Sequence, residues 1–464
     1  MTGTPDETPT NSFVPGGSRR HRKARVSRVG ARRSLVLAMA VPVASATLAG
    51  TSAFAADGTT GTTGSTVTAG STAHGAGTGR PGTLTAADAQ LVKNLNERIA
   101  DKRLGPDVSG VVLDGDTDTT LWDHNGATAL MPASNAKLAT ATTALTLLGP
   151  DHRFTTKVVY GDGTLTLVGG GDRTLTSAGL AEMTKAAVAG LKAAGRADVK
   201  VRVDDSLFAA PSLADGWNQG YYPTEVAPVR SLVVDGAAVQ DTALDAGQVF
   251  AKQLTAAGIT VDGQVGHATA SRSAVPVAQH TSGPLSDIVK KMLKTSDNNI
   301  AETLLRMTAV ERGVPATFEG GVQLVRQVLS AYGVSSDNFV LHDGSGLSRA
   351  DRIPAATLAQ LLEAITRTPA LSSIVDGLPV AGEAGSSLGP EWGRFDDAHS
   401  KCAVGKVHAK TGTLTGAVAL SGVTKTADGE WRVFSFIENN STADPAGIKD
   451  AMDGLAATVN GCWA

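Results

Sequence analysis

Cysteine is nearly absent from the chain: Cys402 and Cys462 are the only two in 464 residues. With no Cys pairs, no His-Glu-x-x-His segment and nine scattered histidines, nothing points to a metal site, and no cofactor is implied. Aromatic residues are scarce at 4%, and charged residues make up only 18%. The hydrophobic share is an ordinary 42%, so the chain has neither the repeat of a fibre nor the charge of a disordered protein. What is abundant is glycine, 53 residues of it, diluting a globular composition with Gly- and Ala-rich connections. The length suffices for two or three domains.

The net charge of −3 hides an asymmetry. Eight basic residues lie between Arg19 and Arg33, opposed within 1–55 only by Asp6 and Glu7; the remainder carries 33 basic and 42 acidic residues. An acidic body is repelled by a phosphate backbone, which argues against nucleic-acid binding. The basic run leads into an apolar stretch from Leu35 to Gly50, and Ala53-Phe54-Ala55 offers a small-x-small cleavage site. This pattern predicts a secretory signal over 1–55 and an extracytoplasmic address, secreted or associated with wall or membrane. An uncleaved segment would keep the protein near the membrane, although the stretch is short and alanine-heavy for a span. Arg32-Arg33 is compatible with twin-arginine export, but the ordinary route is the default. In that compartment Cys402 and Cys462 are expected to pair, closing a loop of about 60 residues for roughly 4 kcal/mol if unstrained.

Residues 56–83 are Gly, Thr, Ser and Ala without apolar periodicity and read as a flexible linker. Thr85 with Asp88 resembles a capping box, and Leu91, Leu95 and Ile99 recur at helical spacing. Val108 to Leu113 and Thr119 to Trp122 read as a hairpin, Pro132 as the opening of a helix that Gly149-Pro150 ends. Val158 to Val168 is hairpin-like around Gly161-Asp162-Gly163, and Phe339 to Leu341 reads as a short strand. Helical patterns fill Leu285 to Ala331 and Pro354 to Thr366; strands return at Val407 to Lys410, Ala417 to Val423 and Trp431 to Glu438, before a helix from Pro445 to Val459. Strand-rich ends around a helical middle predict one sheet assembled from both ends of the chain.

Three short segments carry chemistry. Ser134-Asn135-Ala136-Lys137 places a hydroxyl and an amine three residues apart on one helical face. A serine is a poor nucleophile until a neighbour accepts its proton, and a lysine with a depressed pKa does this. Lys137 is the only lysine in the chain with serine three positions before it. Lys410-Thr411-Gly412, also unique, falls on a predicted strand where glycine permits close approach and Lys410 and Thr411 suit a carboxylate. Ser296-Asp297-Asn298 could relay a proton and hold a peptide group. The triplet recurs at Ser336-Asp337-Asn338, but the first copy joins two helices whereas the second precedes a strand as an Asx-type turn. Each segment alone also has a structural reading: a helix cap, a charged edge strand, a turn.

Taken in order, Ser-x-x-Lys, Ser-x-Asn and Lys-Thr-Gly are the set found in penicillin-binding proteins and serine β-lactamases. The chain resembles a low-molecular-mass class C penicillin-binding protein, a D-alanyl-D-alanine carboxypeptidase/endopeptidase. Gly169-Gly170-Gly171-Asp172, Asp343-Gly344-Ser345-Gly346-Leu347-Ser348-Arg349, Leu378-Pro379-Val380-Ala381-Gly382 and His408 to Leu414 add to the likeness, which spans 84–464. It implies an α/β (α+β) fold of serine β-lactamase type, an antiparallel sheet flanked by helices with a helical subdomain. The 162 positions between Ser134 and Ser296 fit an inserted mixed α/β domain at 156–275, between two parts of a DD-peptidase domain at 84–155 and 276–464. The resemblance implies peptidoglycan stem peptides as substrate and β-lactams as covalent inhibitors. In that reading Ser134 is the nucleophile, Lys137 takes its proton, Ser296 shuttles it to the leaving D-alanine and Asn298 holds the substrate amide. Lys410 and Thr411 would bind the terminal carboxylate, beside Gly412, while the amides of Ser134 and Thr413 form the oxyanion hole and Arg349 lies near the side-chain pocket.

Rival readings are a β-lactamase, a non-catalytic peptidoglycan-binding protein on this scaffold, and an α/β-hydrolase. The last would use Ser387, since Gly385-Ser386-Ser387-Leu388-Gly389 matches a nucleophile elbow, with His399 or His408 as base; yet no apolar strand leads into it. Tyr221-Tyr222, after Trp217, would either border the cleft or pack in a core.

Overall fold

The computed structural model describes residues 85–463; the expected signal and most of the linker lie outside them. Thr85 caps α1 (Ala86–Arg98), its hydroxyl accepting the Asp88 amide while the Asp88 carboxylate accepts the Thr85 N–H. Then come β1 (Asp107–Asp114) and β2 (Thr120–His124), an antiparallel pair. A 3-10 turn, Ala133–Ala136, leads into α2 (Lys137–Leu148), which Gly149 ends. The expected continuous helix from Pro132 is therefore split. Ala133 adopts φ +47, a left-handed conformation through which an α-helical hydrogen-bond ladder cannot begin.

Between α2 and the next helical block the chain builds a second sheet. β3 (Thr155–Gly161) and β4 (Thr164–Val168) turn through Asp162-Gly163, both at positive φ, as a tight hairpin requires. They are followed by α3 (Ser177–Ala193), β5 (Asp198–Asp204), α4 (Thr242–Ala256) and β6 (Val275–Thr281). The order is Thr260–Val261, β5, β4, β3, β6, with Gly266–His267 also on β5. Leu165, Leu167, Val201, Val203, Leu180 and Phe250 form this sheet's own core. Its chain runs from Thr155 to Thr281, so β6 continues past residue 275.

The helical block resolves into α5 (Leu285–Thr295), α6 (Asn298–Glu311), α7 (Phe318–Ala331) and α8 (Ala355–Arg367). The strand expected over 339–341 is a single bridge, Val340 to Arg352, because the facing segment turns at once to pair Ile353 and Pro354 with Leu130 and Ala129. The chain closes with β7 (Val407–Leu414), β8 (Ala417–Lys425), β9 (Trp431–Asn439) and α9 (Pro445–Val459).

The main sheet is antiparallel in the order β7-β8-β9-β1-β2, so β1 and β9 join the two ends of the chain from Asp107–Asn439 to Asp114–Arg432. Strand alternation sorts its two faces. Val111, Leu113, Ala419, Val423, Val433 and Ile437 pack toward the helices of the central block. Val112, Val418, Leu420, Phe434 and Phe436 pack toward Leu95 of α1 and Met452 and Leu455 of α9. A disulfide joins Cys402 to Cys462, tying the segment before β7 to the end of α9. Among the described residues no helix is long and apolar enough to cross a membrane.

Candidate active site

The site forms where the 133–136 turn, the α5–α6 junction and β7 converge. Ser134 lies within the 3-10 turn and Lys137 directly follows it, a geometry that nearly eclipses residues three apart. Lys137 Nζ lies 2.8 Å from Ser134 Oγ. Between them Asn135 is fully buried and donates to Ser421 Oγ at 2.7 Å, which pins the turn to the sheet. Close approach of backbones needs glycine at two facing positions. A Cβ on Gly346 would stand 1.9 Å from the Ala133 carbonyl oxygen, and one on Gly412 would stand 2.6 Å from that of Pro132.

α5 ends at Ser296, itself in the left-handed region (φ 57, ψ 38), and Asp297 caps α6 by accepting the Ile300 amide. The sharp junction turns Ser296 and Asn298 into the same space. Asn298 Oδ1 accepts from Lys137 Nζ at 2.7 Å, and its Nδ2 donates to the Glu225 carbonyl at 2.9 Å. Lys137 makes a third contact, to the Ser345 carbonyl at 2.7 Å.

On β7 the side chains alternate, so Lys410 and Gly412 share a face directed at these elements. Lys410 Nζ donates to Ser296 Oγ at 2.9 Å and to the Thr411 carbonyl at 2.7 Å. Thr411, next along the strand, donates to Ser387 Oγ at 2.7 Å. Thr413 is exposed and pairs with Val418 across the hairpin. Arg349, also exposed, donates to the Thr415 carbonyl at 2.9 Å and so ties the 343–349 loop to the end of β7.

Lys137 and Lys410 are both fully buried. Burial pushes the Lys137 amine down to about 8, although the carboxylates of Asp343, Glu302 and Asp297 favour its charged form. Lys410 is held well below the ordinary lysine range by burial and then by the charge of Lys137. Neither has a carboxylate within ion-pair distance among the described residues; their acceptors are hydroxyl, amide and carbonyl oxygens. Such a place favours an incoming anion and an amine ready to take a proton.

The sequence-predicted residues Ser134, Lys137, Ser296, Asn298, Lys410 and Gly412 thus meet in one locus, with Thr411, Thr413 and Arg349 on its margins. Ser336-Asp337-Asn338 is an exposed turn, closed by the Phe339 amide on the Ser336 carbonyl. Ser387 follows no strand and precedes only a three-residue 3-10 turn at Pro390–Trp392, contrary to an elbow. Tyr221 and Tyr222 pack edge-on to Trp217, whose indole N–H donates to Asp343 at 2.6 Å. Sequence reasoning missed the Ser345 carbonyl, which carries no side-chain signature, and Glu302. The latter had a signal: Asn298, Glu302 and Arg306 are each four residues apart, and so share one face of a helix whose middle is buried.

A family model described as the D-Ala-D-Ala carboxypeptidase 3 (S13) family matches residues 91–239 and 229–459. Carboxypeptidase DacB of Mycolicibacterium smegmatis is 33% identical over 396 residues, covering 80% of this chain and 84% of its own. The D-alanyl-D-alanine carboxypeptidase of Actinomadura sp. (strain R39) is 28% identical over 456 residues, covering 78% of this chain and 84% of its own. Among solved structures, penicillin binding protein 4 of Haemophilus influenzae shares the fold with a TM-score of 0.68 at 24% identity, over 80% of this chain and 98% of that one. The match runs through both parts of the main sheet and the inserted sheet between them, and the chain belongs to the D-Ala-D-Ala carboxypeptidase 3 (S13) family.

Proposed function

We propose that the protein is a serine-type D-alanyl-D-alanine carboxypeptidase acting outside the cytoplasmic membrane on peptidoglycan stem peptides, and that β-lactams acylate it at Ser134. One observation carries the reading: a buried amine, its pKa lowered to about 8, 2.8 Å from a half-exposed serine hydroxyl. As neutral Lys137 accepts the Ser134 proton, Oγ attacks the carbonyl carbon of the penultimate D-alanine. The oxyanion would be met by the Ser134 and Thr413 amides, a contribution on the order of a few kcal/mol. Collapse breaks the C–N bond; the departing D-alanine nitrogen takes a proton through Ser296, which Lys410 holds at 2.9 Å. Water then cleaves the ester and frees Ser134. Lys410 and Thr411 are suited to the terminal carboxylate, and that anion would supply the counter-charge Lys410 lacks. An acceptor peptide bond in place of the terminal one would make the same acyl-enzyme an endopeptidase intermediate. The basic and apolar N-terminal pattern supports the extracytoplasmic address.

The test is digestion of purified muropeptides carrying a stem pentapeptide, with products identified by mass. Loss of one terminal alanine is expected; intact substrate that is nonetheless bound would favour a non-catalytic protein, and rapid turnover of penicillin a β-lactamase. The two Ser-Asp-Asn copies give a sharper expectation. Ser296→Ala should lower D-alanine release by about 10²-fold or more, whereas Ser336→Ala, in an exposed turn, should leave the rate within a factor of two or so. The reverse ranking would reassign the second motif.

A further inference from the structure

A carboxylate that no step above uses lies directly behind the reacting pair. Glu302 is 0% exposed, on α6 one turn after Asn298. Its Oε1 accepts two backbone N–H groups of a distant loop, Gly344 at 2.9 Å and Ser345 at 2.8 Å. Arg306, one turn further on, donates to Oε2 at 3.3 Å. The next peptide is held from the other side, where Gly346 N–H donates to Asp343 Oδ1 at 2.6 Å. In a trans peptide the carbonyl points opposite to the N–H. With Gly346 N–H turned to Asp343, the Ser345 carbonyl faces Lys137.

This matters because of what a neutral amine must do. It has two hydrogens and one lone pair. If its hydrogens go to Asn298 Oδ1 and the Ser345 carbonyl, the lone pair is left for Ser134 Oγ. Both acceptors are fixed by α6: Asn298 belongs to it, and the Ser345 segment hangs from Glu302.

We propose that Glu302 is a positioning residue which, by holding the Gly344 and Ser345 amides, anchors the loop on which Asp343 turns the Ser345 carbonyl to Lys137, and so leaves the amine's lone pair for Ser134. The inference rests on the carboxypeptidase reading and deepens it. The groups around Glu302 are Arg306 on its own helix, Asp343 and Asp351 on the facing loop, Lys137 on α2, and Tyr222 from the inserted segment. Burial first, and then Asp343, push the Glu302 carboxyl up to about 7. When ionised it favours the charged form of Lys137.

The experiment measures the second-order rate of penicillin acylation, with Tm, for the full wild-type chain, Glu302→Gln and Glu302→Ala across about pH 6 to 10. Glu302→Gln keeps an acceptor oxygen and removes the charge. It should label within a few-fold of wild type, with the acid limb of its profile about one pH unit lower. Glu302→Ala leaves two amides unheld and should label about 100-fold more slowly at its optimum. A purely structural glutamate would lower Tm in both variants without moving the limb. A folded Glu302→Gln that labels about 100-fold more slowly than wild type overturns the proposal, even where Glu302→Ala does not fold; so does wild-type labelling of Glu302→Ala. Failure of the wild-type chain itself to be acylated on Ser134 would instead strike the parent reading and take this inference with it.

Discussion

Ser134→Ala should abolish covalent penicillin labelling and slow D-alanine release by at least about 10⁴-fold, because losing a nucleophile removes the covalent route entirely. The variant should nonetheless fold. Ser134 is half-buried, and its hydroxyl contributes one hydrogen bond, from Lys137, worth on the order of 1 kcal/mol net. What holds the turn is elsewhere: Asn135 on Ser421, and the Gly346 and Gly412 backbones packed against Pro132 and Ala133. Intact mass after incubation with penicillin, alongside a melting curve, separates the two effects. An adduct that persists in Ser134→Ala and maps to Ser387 would return the α/β-hydrolase reading, although the contact found at Ser387 is the hydroxyl of Thr411.

How much of this could be read from the residues depends on whether the signal is local. That the two ends of the chain build one sheet was legible because Val108 to Leu113 and Trp431 to Glu438 are mainly apolar between turn residues, the mark of buried strands; which strand pairs with which was not. The Asp162-Gly163 hairpin and the Thr85–Asp88 box are likewise local chemistry, and both are present. The boundary expected at 275 leaves out β6, because Val275–Thr281 is largely exposed and includes Pro276, so no buried face marks it as a strand. The split at Pro132 was invisible for another reason. The positive φ of Ala133 accompanies the approach of Gly346 and Gly412, residues more than 200 positions away in sequence. Within the site, spacing alone brought Ser134 and Lys137 together, and position between two helices singled out Ser296 over Ser336. The Ser345 carbonyl and its hold on Lys137 depend on how a loop packs against α6, which no local pattern encodes.

Lys137 offers the second large effect and the cleaner chemistry. Lys137→Met and Lys137→Arg should each slow acylation by at least about 10³-fold, the upper range for loss of a general base. Arginine keeps a cation and hydrogen-bond donors but stays protonated at any working pH, so it cannot take the Ser134 proton. If the charge were what mattered, arginine would rescue; if proton acceptance matters, it does not. The pH profile makes the same distinction in the wild-type protein. With the amine at about 8, roughly one-tenth is neutral at pH 7, so acylation should rise with pH and level off above that value. Stability carries a matching signature. The folded chain releases this proton at lower pH than the unfolded one, so between about 8 and the ordinary lysine value the unfolded state binds more protons and stability rises with pH. Lys137→Met removes the Lys137 share of that rise and leaves the share of Lys410, while baring Asn298 Oδ1 and the Ser345 carbonyl at about 1–3 kcal/mol each. A methionine variant that is inactive, folded and shows a shallower rise than wild type, together with an inactive arginine variant, assigns the proton to Lys137. Acylation of Lys137→Arg at the wild-type rate would move the proton acceptor to another group and leave the 2.8 Å contact a matter of packing.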